Sequence, residues 1–282
     1  AGKAIAALVP ATRPLLDHLE VVGAGLPLDH APLPFVAIPT TAGTGAEVTK
    51  NAVIGVPQAG RKVSLRDARM LADIAIVDPA LTDGAPQAVT LASGLDAITQ
   101  VIEPYVSSKA NPLTDALCRD AIPRGLRALR DLMSGETTDA RDEMAWVSLC
   151  GGLALANAGL GAVHGLAGPI GGLSGAPHGA VCGRLLPFVL MLNADRADPP
   201  TAARLAEIGG WIAEALGGDP GTAAQTLAHW AAGQGLPGLS AMGVREADFP
   251  ALAEAAEASS SMKGNPVVLS RDDLLGLLTA AA

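Results

Sequence analysis

The sequence holds 282 residues, 49% hydrophobic, 17% charged and 2% aromatic, with a formal net charge of −9. That length suits one large domain or two ordinary ones with a sizeable core, and the apolar fraction excludes a disordered chain. The acidic balance excludes nucleic acid and anionic membrane as the main partner, since either requires a basic face.

Ala1–Val9 reads as a helix that opens without Met and without a capping Ser, Thr, Asp or Asn. Phe35–Ile38, held between Pro34 and Pro39, is predicted as a short buried strand. Asn51–Val56 and Arg61–Leu65 flank the turn-rich Pro57–Gly60 and predict a hairpin. Ile74–Val77 is a further compact strand, stopped by Asp78-Pro79. Beyond Pro86 the pattern turns helical, with helices predicted over 86–106, 113–133, 136–159, 161–173, 179–193, 199–216, 220–233, 247–260 and 271–281. A β-containing segment followed by a run of helices predicts two units, 1–83 and 84–282.

From Ala145 to Gly183 there is no Asp, Glu, Lys or Arg. The stretch is interrupted by prolines, and no second span or basic flanking loop accompanies it. It therefore reads as a helix buried on all sides in a bundle rather than as a membrane span. Cys118, Cys150 and Cys182 form no CxxC and no even set, which predicts neither a disulfide framework nor a cysteine-rich zinc site. A reducing, cytoplasmic setting is expected. His18, His30 and His229 sit in polar or turn-like contexts and are expected at the surface.

Three constellations can carry chemistry. Pro39–Thr49 follows a strand directly. Its glycines let backbone amides approach a ligand, and its threonine hydroxyls can donate to phosphate or ribose oxygens. On a helix, Asp96 and Gln100 share one face with Glu103 nearby, and a carboxylate among Leu91, Leu95, Ile98 and Val101 needs a cation or a metal. His164 and His178 fall in the least polar segment, each followed by glycine, and neutral imidazole is a common metal ligand. Asp96, His164 and His178 together would form a three-ligand set with an open position, and spacing alone leaves a capped Asp and core histidines as the alternative. Lys62 is an isolated cation in a β-like piece, either solvated or within reach of a ribose or phosphate at the Thr/Gly loop.

In order along the chain, Pro-Thr-Thr-Ala-Gly-Thr-Gly-Ala-Glu-Val-Thr (39–49), Ala-Ile-Val-Asp-Pro (75–79), Gly-Leu-Asp-Ala-Ile-Thr-Gln-Val-Ile-Glu (94–103), His-Gly-Leu-Ala-Gly-Pro-Ile-Gly-Gly (164–172) and Pro-His-Gly (177–179) resemble the iron-containing (group III) alcohol dehydrogenases. These are relatives of glycerol dehydrogenase and dehydroquinate synthase. The resemblance implies an α/β N-terminal nucleotide-binding domain, here only its C-terminal part, plus an all-α C-terminal domain. It implies metal and substrate between them. Thr40, Thr41 and Thr44, with Gly43 in the same loop, match the cofactor-contacting segment, and Lys62 matches a lysine near the cofactor ribose. Asp96, His164 and His178 match metal ligands and are the implied catalytic centre.

Three departures stand out. Gln100 occupies a position where the iron enzymes usually carry His, which leaves it a weak ligand and makes zinc a candidate beside iron. Gly168 replaces a histidine that many members hold beside the substrate. The glycine-rich turn that binds the cofactor pyrophosphate is absent before Ala1, implying a preceding segment of roughly a hundred residues, the scale of a βαβαβ half-domain. The resemblance thus implies an NAD- or NADP-linked, metal-dependent dehydrogenase or reductase of small alcohols and aldehydes, with no nucleic-acid or membrane partner and a homodimer as candidate assembly. A maleylacetate-reductase-like oxo-acid reductase and a non-catalytic relic of the family are the alternatives.

Overall fold

The computed structural model describes residues 1–282. Helix α1 (Gly2–Leu8) and the single turn α2 (Leu15–His18) precede strand β1 (Val36–Ala37), the strands β2 (Asn51–Val56) and β3 (Arg61–Arg66), and strand β4 (Ile74–Ala75). The helices that follow are α3 (Gln87–Val106), α4 (Pro112–Ser134), α5 (Thr138–Ala158), α6 (Ala162–Ser174), α7 (His178–Arg196), α8 (Pro199–Leu216), α9 (Ala223–Gly233), α10 (Phe249–Glu257) and α11 (Arg271–Ala281).

Several helix starts are written in the sequence. Asn111 accepts from the Thr114 N–H while Thr114 answers through its own hydroxyl, a capping box with Pro112 at the first helical position of α4. Thr137, Asp198 and Ser270 cap α5, α8 and α11 in the same sense. The segment predicted over 220–233 opens instead with a 3-10 turn at Pro220–Thr222, where the Asp219 carboxylate accepts from the Gly221 N–H, and α9 follows from Ala223.

The hairpin forms as predicted, antiparallel with Asn51 opposite Arg66 and Val56 opposite Arg61. The two other predicted strands are shorter than expected and are not buried. Only Val36–Ala37 and Ile74–Ala75 pair, in parallel, and Val36, Ile38, Ile74 and Ile76 are each 46–55% exposed. Pleating turns Ala37 inward and its neighbours outward, and no third strand lies beside the pair to cover them.

The buried apolar residues form two clusters, one of 52 between Leu91 and Ala281 and a smaller one of 8 between Ala4 and Met70. Helix α3 is the axis of the larger cluster and packs against α4, α5 and α7. It is buried on nearly every side, so its polar residues Asp96, Gln100 and Glu103 are each only 3–4% exposed. No single helix is long and apolar enough to cross a membrane. The charge-poor stretch is not one helix buried on all sides: it is divided among α5, α6 and the start of α7, and Trp146 and Leu173 are exposed. Helices α5 and α6 bend by 103° across the break between them, because Gly159 and Gly161 interrupt the helix.

His30 and His229 are exposed as expected, but His18 is buried. Leu19 bridges to Leu65 on β3 and carries its neighbour inside, where His18 Nδ1 lies 3.1 Å from the Leu26 carbonyl. Lys3 is buried as well. Its ammonium donates to the carbonyls of Ala46 and Thr49 at 2.6 Å each and to Thr49 Oγ1, which ties α1 to the turn after the Thr/Gly loop. Burial pulls its pKa down from 10.5 to about 8 against the opposing attraction of Glu47. Between those values the unfolded chain keeps a proton that the folded chain has lost, so Lys3 makes stability rise with pH. Denaturant unfolding across that window should show a more positive pH slope for wild type than for Lys3→Met. Equal slopes would remove this role.

Candidate active site

Asp96 projects from α3, His164 from the first turn of α6, and His178 and Cys182 from successive turns of α7. One donor atom from each lies within 4.8 Å of the others. Asp96 Oδ1 is 3.3 Å from His164 Nε2 and 3.9 Å from His178 Nε2, and Cys182 Sγ is 3.7 Å from His178 Nε2. Asp96, His164 and Cys182 are buried, while the His178 side chain is 41% exposed and forms the open side of the cluster.

Glu103, two turns beyond Asp96 on α3, sets the orientation of His164. Its Oε2 lies 2.6 Å from His164 Nδ1, and its Oε1 accepts from the Val163 N–H at 2.7 Å. With Glu103 Oε2 accepting a hydrogen bond from the Nδ1–H of a neutral imidazole, the Nε2 lone pair faces Asp96 Oδ1. Both of these buried atoms lack a hydrogen-bond partner. Two acceptors turned on each other call for positive charge between them, which a metal ion or a proton on Nε2 supplies.

The local field agrees. Burial disfavours a charged His164, yet Cys182, Glu103 and Asp96 together hold its pKa well above the usual value. Cys182 leads the groups that raise His178. Burial would raise Asp96, but the two imidazoles and Cys182 hold it below the usual carboxylate value. The donor set of carboxylate, two imidazoles and thiol therefore fits a divalent transition-metal ion.

Glycines permit the approach of α7 to α3. A Cβ on Gly179 would stand 2.2 Å from the Ala92 carbonyl oxygen, and one on Gly183 2.5 Å from Leu95 Cδ1. Each follows a cluster residue directly, so the sequence His-Gly-x-x-Cys-Gly (178–183) presents both donors at the point of closest contact.

The Thr/Gly loop crosses α3 at the level of Asp96. Gly43 packs on Ser93, and Gln100 Nε2 donates to the Thr44 carbonyl at 2.7 Å. Ser93, Asp96 and Gln100 share one face of the helix. Gln100 therefore ties the loop down with its amide nitrogen. Gly45 takes the left-handed conformation (φ +55°), and its N–H donates to Ser148 Oγ on α5. Thr40, Thr41 and Thr44 are exposed, and their hydroxyls make no hydrogen bond within the chain. Lys62 on β3 reaches over α6, and its Nζ would be 3.1 Å from a Cβ on Gly171. Gly171 is two turns from His164 on the same face, roughly 10 Å along the helix. A Cβ on Gly168, between them, would meet nothing within 4 Å.

A carboxylate, imidazoles and a thiol converging beneath a Thr/Gly loop make the donor set of a metalloenzyme centre. The chain belongs to the iron-containing alcohol dehydrogenase family: the model of its C-terminal part matches residues 90–282, and that of the iron-containing alcohol dehydrogenase matches residues 1–79. It is 39% identical over 237 residues to the 1,3-propanediol dehydrogenase of Citrobacter freundii, a match over 83% of this chain and 61% of that relative. It is 37% identical over 258 residues to the lactaldehyde reductase of Escherichia coli K12, covering 90% and 67%. Its fold superposes on the crystal structure of a sulfoacetaldehyde reductase from Bifidobacterium kashiwanohense in complex with NAD+, with a TM-score of 0.84 at 26% identity, covering 99% of this chain and 72% of that one. The chain thus spans about three fifths to two thirds of the length of these two curated relatives.

Proposed function

We propose that the protein is a metal-dependent, NAD(P)-linked alcohol dehydrogenase or aldehyde reductase acting on a small alcohol. The observation that carries this is the pair of buried, partnerless acceptors, Asp96 Oδ1 and His164 Nε2, facing each other beside His178 and Cys182. Asp96, His164 and His178 are the residues that hold the ion, with Gln100 bracing the loop one turn away. When bound, the ion and the nicotinamide supply Lewis-acid polarisation of the substrate oxygen and a hydride acceptor or donor.

The remaining work falls to this chain. Glu103 keeps the Nε2 lone pair of His164 turned into the cluster. The exposed edge of His178 leaves a side by which a small alcohol enters. Gly168 leaves space beside that side chain stripe. Thr40, Thr41, Gly43 and Thr44 offer free hydroxyls and amides for a nicotinamide cofactor, and Lys62 offers a cation for its ribose or phosphate. The two apolar clusters support reading 1–83 and 84–282 as separate units with this cleft between them. The three free thiols support a reducing, cytoplasmic setting.

The test is elemental analysis of the protein purified without added metal, combined with NAD- and NADP-linked oxidation of 1,3-propanediol and propane-1,2-diol. Stoichiometric divalent metal is expected, with turnover that a chelator removes and added metal restores. A protein with no bound ion and no nicotinamide-linked turnover would overturn the reading.

A further inference from the structure

Asp96, His164 and His178 are proposed above to hold the ion, and the part played by the Cys182 thiol beside them is still open. We infer that the Cys182 thiolate is a fourth ligand to the ion, and that the resulting set of one carboxylate, two imidazoles and one thiolate favours zinc or another thiophilic divalent ion over iron(II). The inference rests on the metal reading of the site.

Its geometric basis is the position of the sulfur. Cys182 Sγ lies inside the same 4.8 Å sphere as Asp96, His164 and His178, and Cys182 is fully buried. It follows His178 by one helical turn, so both donors leave one face of α7. The glycines at 179 and 183 bring that face onto α3, and a larger side chain at either would push the sulfur away from Asp96. The unpartnered Asp96 Oδ1 and His164 Nε2 belong to the same cluster as the sulfur, every donor atom lying within 4.8 Å of the others.

The other thiols show the contrast. Cys118 and Cys150 are buried on α4 and α5, outside the donor cluster, and burial pushes both thiols up, Cys150 to about 12. They behave as small apolar side chains. Cys182 instead faces two imidazoles and a carboxylate. A thiolate is a soft donor, which suits zinc better than a hard cation, and zinc takes four ligands readily and accepts a fifth when substrate arrives. Gln100 donates its amide N–H to the Thr44 carbonyl, which leaves only its neutral Oε1, a weaker donor than a thiolate, to compete.

Cobalt(II) titration of the metal-free full chain tests this by absorption spectroscopy, without reference to turnover. Coordination by sulfur adds a thiolate-to-cobalt charge-transfer band in the near ultraviolet to the visible ligand-field bands. Wild type is expected to show both, and Cys182→Ala to keep bound cobalt but lose the charge-transfer band. Cys118→Ala is expected to keep it. Visible bands without charge transfer in wild type would overturn the thiolate ligand and leave the metal site standing. Failure of wild type to bind cobalt at all would overturn both. The wild-type spectrum decides even where Cys182→Ala does not fold.

Discussion

Asp96→Asn is expected to yield a folded protein that no longer retains a divalent ion. Asn matches Asp in size, so the packing of α3 against α7 survives. What changes is the donor. A neutral amide replaces the one carboxylate that faces both imidazoles, at 3.3 Å and 3.9 Å. Changes to residues that merely support a ligand cost about 10–100-fold in metal affinity, and loss of the central anionic donor should exceed the upper end of that range. Chelator competition monitored by metal content measures the affinity, and nicotinamide-linked turnover should fall in parallel. A variant that holds metal as tightly as wild type would show that Asp96 serves only to pair with His164.

Gly45→Ala should produce a large loss of stability for a single added methyl group. Two costs combine. The backbone at Gly45 is left-handed, which costs an L-residue about 1–2 kcal/mol. The added methyl would also lie 2.5 Å from Gly152 Cα and from the Ser148 carbonyl oxygen, both rigid helix backbone. Overpacking of that kind costs about 1–3 kcal/mol more. A fall in melting temperature on the order of 10 °C follows. Gly60→Ala separates the two costs, because Gly60 has the same left-handed conformation (φ +58°) and open space where its Cβ would go. It should lose only the conformational part. Equal melting temperatures for the two variants would mean that the loop has no tight seat on α5. With Gly45→Ala the loop is also displaced from α3, so affinity for nicotinamide cofactor should weaken.

Much of the helical half is legible in the sequence, for a local reason. Capping residues, prolines at first turns and apolar periodicity all act within a few residues of each other, as at Asn111–Thr114. The hairpin is legible in the same way, since its turn and both strands lie within sixteen residues. The strands at Val36 and Ile74 are less so. Their pairing joins residues 38 apart, and their length depends on which neighbours lie beside them. The polar surroundings of His18 point to the surface, but a distant bridge between Leu19 and Leu65 draws it inside.

The candidate site divides along the same line. Asp96 stands out as a carboxylate among apolar helix positions, and His164 and His178 stand out within a charge-free stretch. Glu103 was visible as a neighbour of Asp96 on its stripe, but its grip on His164 Nδ1 was not. Cys182 had a signal too: it stands four residues from His178 and, like it, precedes a glycine. A search for paired cysteines passes over a thiol whose partners are imidazoles and a carboxylate.

By itself, then, the sequence determined which residues are expensive to bury without a partner, because that cost depends on residue type and on the apolar run around it. It also determined where the helices start, through contacts made within one turn. Only the tertiary structure decided that α3, α6 and α7 meet at those residues, and that Gln100 holds the Thr/Gly loop. The physical reason is distance along the chain. Asp96, His164 and Cys182 are brought together by glycine-permitted contacts between helices, and no local periodicity encodes which helix faces which.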